Sequence, residues 1–458
     1  MAAGKGTRMK SQTPKVLQRI AGQTLLDHVL AAASQLGAQR AVVITGHQAE
    51  DVEAATLSSR DRRSDMSIQF ARQMPQLGTG HAVQQAAPLL DDDSVTLVLS
   101  GDVPLTSVDT LRALVAASAG TRLAILTVQH PTPDGYGRVI RDDQGHVVAI
   151  VEHKDADAGQ RAIHEIYSGI MAAPTPLLQS WLARLTNDNA QHEYYLTDVV
   201  KFAVNDGAPV HAVCIDDTVQ VEGVNSPHQL AALERAYQAR QANKLMEQGV
   251  RLADPARLDV RGQLHCGQDV EIDINCIFSG DVTLEAGVRI GAHCVLSNCT
   301  IRSGAIIHPF THIDGGQPGA EVGANSLIGP FARLRPGAAL GEEVHIGNFV
   351  EVKNTTMAKG AKANHLAYLG DAEVGERVNY GAGSITANYD GANKHLTVIE
   401  ADVHVGSNSV LVAPVRLGAG GTIGAGSTIT KDTPAGSLSV VRAKQVSING
   451  WSRPAKKK

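Results

Sequence analysis

The chain has 458 residues, of which 43% are apolar, 19% charged and 3% aromatic, and its formal net charge is −5. This length predicts two or three domains, each with its own core. The acidic balance and the few aromatic residues exclude nucleic acid as a partner, because a basic field and stacking surfaces are both lacking. The chain contains no run of 18 apolar residues, so we expect no membrane-spanning helix. The first residues also lack a signal-peptide pattern. Five cysteines without a CxxC pair argue against disulfides or zinc, so we expect a cytoplasmic enzyme.

The first half of the chain alternates strand and helix patterns. Apolar, β-branched runs at residues 41–46, 95–102 and 122–128 predict buried strands. Amphipathic stretches at residues 25–37 and 110–120 predict helices that end at glycine. This alternation predicts an α/β, Rossmann-like domain with a mostly parallel sheet, helices on both faces and ligands at the strand ends.

Three segments of this half contain candidate phosphate and metal ligands. The opening AAGKGTRMKSQTPKVL lets backbone N–H groups approach phosphates that Lys5, Arg8 and Lys15 can neutralise. It matches neither the P-loop nor the dinucleotide fingerprint, and by itself it could equally be a disordered terminus. LSGDVPL ends a strand in Asp102, and VEGVN ends in Asn225. A carboxylate and an amide oxygen suit Mg²⁺ beside phosphates, although Asp102 could instead cap a helix or a turn.

A long helical pattern separates the two halves. Residues 227–249 combine a 3.6-residue period, strong helix formers and a final glycine. They form either a connecting arm or a helix of one of the domains. We therefore divide the chain into a domain at residues 1–226, a linker helix at 227–249 and a domain at 250–458.

The last domain is a repeat, since from about residue 270 an aliphatic residue returns every six positions. Two runs, Val322 to Val352 and Ile399 to Ile429, contain six such residues each, and glycine often follows them directly. This period fits neither a helix nor a hairpin and predicts a parallel β-helix with three hexapeptides to a coil. The period breaks after Val352 and again at residues 381–398. Because insertions into a coil must leave as loops, we expect loops at residues 364–371 and 384–395.

One spacing within the repeat points to an anion. Arg335 and Lys353 each follow an interior aliphatic residue and lie 18 residues apart, which is one coil. They should stack on one face, roughly 4.8 Å apart at the backbone, and repel unless a phosphate lies between them. The alternative is two solvated charges with Glu351 nearby. His365, in the first expected loop, can accept a proton near neutral pH, with Glu351 to orient it, or is an ordinary surface histidine.

Together these segments resemble the family of bifunctional bacterial enzymes that combine N-acetylglucosamine-1-phosphate uridyltransferase with glucosamine-1-phosphate N-acetyltransferase. The first half carries the resemblance in AAGKGTRM, QLGTGHA, GDVPL, GYGR, VEHKDA, EYYLTD and VEGVN. The second half carries it in GPFARLRPGA, GNFVEVK, NHLAYLGD, and NYDG with Lys394. The match covers nearly the whole chain in the right order.

The resemblance implies a left-handed β-helix and a homotrimer with the acetyl site between subunits. It also implies two reactions, acetyl transfer from acetyl-CoA to glucosamine 1-phosphate and then uridylyl transfer from UTP to N-acetylglucosamine 1-phosphate with Mg²⁺. The product, UDP-N-acetylglucosamine, would serve peptidoglycan and lipopolysaccharide synthesis.

The resemblance assigns residues to these sites as well. The uridine nucleotide and sugar would contact Ala2, Ala3, Gly4, Lys15, Gln73, Gly78, Thr79, Ser100, Gly101, Asp102, Gly137, Glu152, Tyr167 and Asn225, with Asp102 and Asn225 also holding Mg²⁺. Glucosamine phosphate would contact Arg335, Lys353, Tyr368, Asn379 and Lys394. Acetyl-CoA would contact Ala382, Asn388, Tyr389, Ser407, Ala425 and Arg442, and Asn388 would also polarise the thioester carbonyl. His365 would be the catalytic base.

The chain departs from the family pattern at two places. Members begin with an apolar strand before the glycine loop, whereas Met1 stands where that strand would end. Without this central strand we expect an unanchored loop and impaired uridylyl transfer; the alternative, which we favour, is a start placed about ten residues late. Tyr167, in EIYSG, stands where the family usually has Asn.

Three other functions remain open at this point. The chain could be an acetyltransferase only, or a pyrophosphorylase for another sugar nucleotide such as ADP-glucose or GDP-mannose, or a non-catalytic trimeric scaffold. The pyrophosphorylase alternative leaves His365 and the two stacked cations without a role.

Overall fold

The computed structural model describes residues 1–59, 66–91 and 93–456. Its contacts divide the chain into two compact units, Met1–Tyr237 and Gln238–Lys458. Helix α8 (Pro227–Glu247) crosses this division. The domain boundaries expected from the sequence, at residues 226 and 249, remain predictions. Among the helices of the described residues, none combines the length and hydropathy that a membrane span requires.

The first unit alternates strands and helices. In chain order its elements are β1 (Arg19–Ile20), β2 (Gln23–Thr24), α1 (Leu25–Leu36), β3 (Arg40–Thr45), α2 (Ala49–Ser58), β4 (Ser67–Arg72), α3 (Thr79–Ala86), β5 (Val95–Val98), α4 (Val108–Ser118), β6 (Leu123–Gln129), β7 (Arg138–Arg141), β8 (Val147–Val151), α5 (Ala158–Arg161), β9 (Glu165–Pro174), α6 (Thr175–Leu182), α7 (Asp198–Asn205), β10 (Val210–Ile215) and the start of α8. Short 3₁₀ turns lie at Thr7–Met9, Lys15–Leu17, Ala87–Leu89 and Thr218–Val221.

The main sheet is mixed, so the prediction of a mostly parallel sheet is wrong. Its order is β10-β6-β9-β7-β8, with β5 also pairing with β9. Strand β9 runs antiparallel to β5, β6 and β7, while the β10–β6 and β3–β4 pairs are parallel. Because β9 is buried along nearly its whole length, its residue pattern carries no information on its direction.

Helices cover both faces of this sheet, as predicted. Leu123 and Ile125 of β6 belong to the cluster that contains residues of α3, α6 and α7. The alternate residues Ala124 and Leu126 belong to the cluster that contains Leu111 of α4. This alternation follows from the two-residue period of a strand that is buried on both faces.

The predicted helix ends are right for α1 and wrong for α4. Helix α1 ends before Gly37, whose φ of 95° lies in the left-handed region that glycine tolerates. Helix α4 begins earlier than expected, because the Ser107 hydroxyl accepts a hydrogen bond from the Thr110 backbone N–H and caps it. It ends at Ser118, and the residue that caps it is Ala119, a non-glycine residue with a φ of 48°. The predicted strand at 95–102 stops at Val98.

The opening of the chain is held between β3 and β5. The Met1 amino group donates to the Leu99 carbonyl at 2.7 Å, and the Ala2 N–H donates to the Ile44 carbonyl at 2.8 Å. The Met1 carbonyl in turn accepts from the Gly101 N–H at 2.8 Å. An apolar cleft of about 220 Å³ lies between the two strands and has Met1 in its wall. The expectation of an unanchored glycine loop is therefore wrong, since these bonds fix its first residues on both sides.

The second unit contains the end of α8, a 3₁₀ turn at Pro255–Arg257 and a solenoid of short parallel strands. Its strands, β11 to β35, are Arg251–Leu252, Leu258–Cys266, Glu271–Ile272, Cys276–Leu284, Arg289–Ile290, Val295–Ile301, Ile306–Ile307, His312–Asp314, Ala320–Val322, Leu327–Ile328, Arg333–Leu334, Ala338–Leu340, His345–Asn348, Glu351–Met357, Lys362–His365, Tyr368–Val374, Asn379–Tyr380, Ile385–Ala387, Thr397–Ile399, His404–Val405, Val410–Val412, Val415–Leu417, Thr422–Ile423, Thr428–Ile429 and Leu438–Ser439. The aliphatic residues of the six-residue period fill one continuous core. The predicted parallel β-helix is confirmed.

The coils vary in length, and the two breaks in the period differ in nature. Val352 pairs with Leu369 and Met357 pairs with Val374, so this coil has 17 residues. Ala363 fills one of its interior positions. The loop expected at residues 364–371 is therefore absent, and strands Lys362–His365 and Tyr368–Val374 stand there. The second expected loop exists, because residues 389–394 leave the coil as a small projection closed by a bridge between Tyr389 and Lys394.

Candidate active sites

In the first unit, two oxygens converge on one cation. The Lys15 ammonium donates to Asp102 Oδ2 at 2.5 Å and to Asn225 Oδ1 at 3.2 Å. The Val224 N–H donates to the Asp102 carbonyl at 2.9 Å and so fixes the VEGVN segment against the loop that follows β5. A carboxylate and an amide oxygen that share one positive partner form a donor set that Mg²⁺ accepts, with water and phosphate in the other positions. The described residues contain no cluster of three or more His, Cys, Asp or Glu side chains that could hold a metal.

One glutamine holds the opening glycine loop, and a second holds the LGTG segment. Ala2 and Ala3 are buried, whereas Gly4 is exposed at the start of the loop. The Gln76 side-chain amide donates to the Ala3 carbonyl at 2.5 Å, and that of Gln73 donates to the Gly78 carbonyl at 2.9 Å. The resemblance assigned Gln73 to the nucleotide site, whereas Gln76 was missed although it opens the QLGTGHA motif.

The LGTG and EYYLTD motifs form one structural unit. Gly78 has a φ of 105°, and a Cβ at this position would lie 2.7 Å from the Tyr194 carbonyl oxygen. The Thr79 hydroxyl accepts from the Leu196 N–H at 3.2 Å, and the Gly80 N–H donates to the Tyr194 carbonyl at 2.7 Å. Only glycine meets both requirements at Gly78, a positive φ and close contact with the backbone at Tyr194.

A cavity of about 190 Å³, which we call the Glu152 cavity, lies beside these loops. It brings together five of the residues assigned by the resemblance, namely Thr79, Ser100, Gly137, Glu152 and Tyr167. The Thr197 hydroxyl donates to Glu152 Oε1 at 3.0 Å. Burial raises the pKa of Glu152, and the negative charges of Asp155 and Asp198 add to the increase. Gly101, which the resemblance also assigned, lines the apolar cleft beside Met1 instead, and a Cβ on it would come within 2.9 Å of the Met1 carbonyl oxygen.

In the solenoid, three cations form a cluster on one face, which we call the cation cluster. Leu334 pairs with Val352, and the Arg335 N–H donates to the Val352 carbonyl at 2.9 Å, so Arg335 and Lys353 are neighbours in successive coils as predicted. The side chain of Lys394 is the largest cause of a lowered pKa at Lys353, and Arg335 contributes to the same decrease. Among the described residues, Lys353 and Lys394 form no ion pair with a carboxylate. Repulsion between these groups is what a bound anion would relieve.

Tyr368 belongs to the same face. Lys353 pairs with Gly370 in the next coil, and a Cβ on Gly370 would collide with the Tyr368 hydroxyl. The tyrosine hydroxyl therefore lies over Gly370, beside Lys353. Asn379 is in a different position, since its strand pairs with Lys362 on the neighbouring face, and no contact of the described residues joins it to the cation cluster.

His365 ends a strand at the corner before Tyr368. Its Nδ1 lies 3.0 Å from Asn348 Oδ1. With the amide oxygen accepting the Nδ1 proton, Nε2 carries the lone pair that a base needs. The prediction that Glu351 orients His365 is wrong, because the Glu351 carboxylate binds Arg335 at 2.8 Å instead. The sequence analysis missed Asn348, which lies one 17-residue coil before His365, because the period did not reveal a coil of that length.

The residues assigned to acetyl-CoA extend from His365 as a column. Strand register places His365, Ala382, Ser407 and Ala425 at equivalent corners of four successive coils. Each corner carbonyl accepts an N–H from the next coil, as in the 2.7 Å bond to the Ala382 carbonyl. The Arg442 side chain donates to the Ala425 carbonyl at 2.9 Å and closes the far end. Three coil spacings make the column roughly 14 Å long.

Asn388 and Tyr389 lie where the projecting loop leaves the coil. The Asn388 side chain is 8% exposed, and its amide donates to Asp371 Oδ2. The Asn354 amide donates to the other oxygen of Asp371 at 2.5 Å. Tyr389 is 61% exposed, and its hydroxyl donates to the Gly391 carbonyl at 2.6 Å. One amide proton of Asn388 is therefore engaged by Asp371.

Comparison with known proteins gives the same division into two functional parts. Residues 1–252 match the family described as MobA-like NTP transferase domain, residues 260–363 match the GMPPB C-terminal domain, and residues 396–431 match the bacterial transferase hexapeptide family. The solved structure of a UDP-glucose pyrophosphorylase complexed with UDP-glucose aligns with 52% of this chain and 97% of its own, at 17% identity and a TM-score of 0.43.

Curated relatives match over the full length. The chain is 68% identical over 464 residues to the bifunctional protein GlmU of Acidovorax sp. (strain JS42), covering all of this chain and 98% of the relative. It is 69% identical to that of Polaromonas sp. (strain JS666 / ATCC BAA-500), covering 97% of the relative. It is 55% identical to that of Aromatoleum aromaticum, covering 98% of the relative. The chain therefore belongs to the family of bifunctional GlmU proteins.

Proposed function

We propose that the chain makes UDP-N-acetylglucosamine by two reactions, one in each unit. The second unit transfers the acetyl group of acetyl-CoA to the amine of glucosamine 1-phosphate. The first unit joins the resulting N-acetylglucosamine 1-phosphate to UTP and releases pyrophosphate. Membership of the GlmU family supports this assignment, and so do the matches to a nucleotidyltransferase family and a hexapeptide transferase family.

The convergence of Asp102 and Asn225 on one cation is the observation that carries the first reaction. These two residues would hold Mg²⁺, which when bound neutralises phosphate charge and helps to align the reacting groups. Lys15, beside the glycine loop, would pair with a phosphate oxygen, and the backbone of Ala2 and Ala3 would hold the nucleotide. A phosphate oxygen of the sugar attacks the α-phosphorus of UTP, and the bond to pyrophosphate breaks. The chain contributes positioning and charge, with no covalent intermediate.

Pyrophosphate release tests this reaction. The full chain is mixed with UTP, Mg²⁺ and N-acetylglucosamine 1-phosphate, and pyrophosphate is measured with and without EDTA. We expect release that depends on both substrates and stops when the metal is removed. No release from the wild-type chain in the presence of Mg²⁺ would refute the first reaction.

The column that begins at His365, around the corner from the cation cluster, is the observation that carries the second reaction. Arg335, Lys353 and Lys394 would bind the phosphate of glucosamine 1-phosphate, and the extended thioester arm of acetyl-CoA would follow the column from Ala425 towards His365. The amine nitrogen attacks the thioester carbonyl carbon, the carbon–sulfur bond breaks, and His365 Nε2 takes the proton that the amine loses. The departing coenzyme A thiolate then takes up a proton.

Release of the coenzyme A thiol tests the second reaction. We expect thiol release that requires glucosamine 1-phosphate, and His365→Ala should reduce its rate by roughly 10²- to 10⁴-fold. His404→Ala, at another exposed histidine of the solenoid, is the matched control and should change the rate less than two-fold. A His365→Ala rate within a few-fold of wild type would exclude His365 as the base.

An exposed apolar column supports the proposal of a homotrimer. The rings of Phe310, Phe331 and Phe349 stack in successive coils with centroids 5.0 and 5.4 Å apart, and each is about half exposed. Contiguous exposed apolar surface of this kind is typical of a subunit interface. Light scattering should give three times the chain mass of 48.2 kDa. Five free thiols support a location in the cytoplasm.

A further inference from the structure

One carboxylate organises the projecting loop at residues 389–394. Asp390 Oδ1 accepts the backbone N–H groups of Ala392 at 2.8 Å and Asn393 at 2.6 Å. Its Oδ2 lies 2.7 Å from Nε2 of His395, the residue that follows the loop. Because an ionised carboxylate can only accept hydrogen bonds, the His395 ring is the donor in this contact. The bonds from the Asn393 N–H and the His395 ring hold the pKa of Asp390 well below its usual range, so it is ionised at neutral pH.

The contact between His395 and Asp390 encloses a lysine of the cation cluster. The His395 N–H donates to the Asn388 carbonyl at 2.8 Å while its ring donates to Asp390, so one residue ties the two ends of the loop together. Lys394 lies immediately before His395, and its side chain lies beside that of Lys353. The position of Lys394 in the cluster therefore depends on the conformation of this loop.

The tip of the projecting loop is held by bonds to its own two ends. In the part of the chain that the structure describes, the hydrogen bonds of residues 390–393 all run to residues 388–395. Of the described groups that donate to the Asp390 carboxylate, the His395 ring is the one side chain. A loop that is not held in its binding conformation must be ordered when the ligand binds, and this ordering lowers the affinity.

We propose that His395 is a positioning residue: through Asp390 it holds the projecting loop in the conformation that places Lys394 in the cation cluster. The inference rests on the function proposed above for the second unit and adds a residue that does not itself touch the substrate. The neutral Nε2–H tautomer and the charged ring both donate this bond, so the effect does not require a charge on His395. The two side chains are 33% and 44% exposed, and an exposed pair contributes little to the stability of the fold.

Two substitutions of His395 test this role. His395→Phe removes the donor and keeps a planar ring, whereas His395→Gln keeps an N–H group near the position of Nε2. We expect His395→Phe to raise the KM for glucosamine 1-phosphate by roughly 3- to 10-fold, as for the loss of one hydrogen bond, with kcat within about two-fold of wild type. His395→Gln should keep this KM within two-fold of wild type. The matched control is His146→Phe, at an exposed histidine of the first unit that lies 3.2 Å from Asp142, and it should change neither constant.

A double-mutant cycle shows whether His395 acts through Lys394. If it does, His395→Phe should raise the KM by less than two-fold in a chain that already carries Lys394→Met, because the group that it positions is gone. A merely structural role would raise the KM by the same factor in both backgrounds, and this result would overturn the inference. A KM of His395→Phe equal to that of wild type would also overturn it, as would a KM of His395→Gln as high as that of His395→Phe.

A binding measurement separates this inference from the proposed reaction. Glucosamine 1-phosphate is titrated into each variant by calorimetry without acetyl-CoA, and the Kd values should follow the same order as the KM values. If wild type binds the sugar phosphate but releases no coenzyme A thiol, the proposed reaction fails, whereas a weaker affinity of His395→Phe would still support the inference. Equal affinities of wild type and His395→Phe, or no binding by wild type, would overturn it.

Discussion

Removal of Lys394 should produce two opposite effects on the acetyltransferase reaction. This lysine is the largest cause of the lowered pKa of Lys353, and both would contact the phosphate of glucosamine 1-phosphate. Lys394→Met deletes one of the three cations of the cluster and keeps much of the side-chain length. The substrate should bind less tightly, while Lys353 should hold its proton to a higher pH, because its nearest like charge is gone.

The size of the first effect follows from the energy of a charged contact. A hydrogen bond to a charged group contributes about 1.5–3 kcal/mol, which corresponds to a roughly 10- to 150-fold rise in the KM for glucosamine 1-phosphate. The KM for acetyl-CoA should change little, because its proposed column begins beyond the corner at His365. Added salt should weaken the wild-type chain more than the variant, since one fewer charge takes part in binding.

The second effect appears in the dependence of KM on pH. Phosphate binding requires the protonated form of Lys353, and its lowered pKa means that binding weakens at a pH below that of an ordinary lysine. In Lys394→Met the same weakening should begin at a higher pH. The assay is thiol release at a series of glucosamine 1-phosphate concentrations between pH 7 and 10. Lys359→Met, at a lysine paired with Glu342, is the control and should match wild type. An unshifted pH profile, or an equal rise in both KM values, would refute the proposed phosphate site.

Three further substitutions test other parts of the two sites. Asn348→Ala removes the partner of His365 Nδ1, so kcat for thiol release should fall roughly 10- to 100-fold with KM nearly unchanged; an unchanged kcat would contradict the role of Asn348. Asp102→Asn should raise the Mg²⁺ concentration needed for half-maximal pyrophosphate release by at least ten-fold and leave thiol release intact. Parallel losses of activity in both assays would indicate misfolding instead. Gly370→Ala should displace the Tyr368 hydroxyl and raise the KM for glucosamine 1-phosphate several-fold at an unchanged melting temperature. A KM equal to that of wild type would show that Tyr368 does not contact the sugar.

The solenoid could be predicted from sequence in unusual detail because its structure repeats locally. Each interior residue lies against the residue one coil earlier. A spacing of 18 residues between Arg335 and Lys353 therefore predicts correctly that they are neighbours in successive coils. The same rule fails where an interior position is occupied by alanine, as at Ala363, because alanine does not mark the period. A 17-residue coil was therefore mistaken for a loop around His365.

The first unit was less predictable, because its contacts join distant parts of the chain. The loop after β5 and the VEGVN segment meet at Asp102 and Asn225, which are 123 positions apart in the sequence. The direction of β9 was missed for the same reason, since its partners β5, β6 and β7 are distant in sequence and its residue pattern is the same in either direction. Gln76 was missed because its role depends on a backbone carbonyl, that of Ala3, and no residue type reveals such a partner.

The contrast among the cations of the solenoid explains why Lys353 and Lys394 point to a ligand. Several exposed cations of the solenoid lie in ion pairs with carboxylates, among them Arg302, Lys359, Arg377 and Arg416. Such pairs offset charge within the protein and contribute little to stability at an exposed position. Lys353 and Lys394 instead lie next to each other. The negative charge of Asp371 favours the protonated form of Lys353, but this carboxylate already accepts hydrogen bonds from Asn354 and Asn388. Folding gains nothing from this arrangement, whereas a phosphate dianion placed between the two lysines turns their mutual repulsion into two favourable contacts.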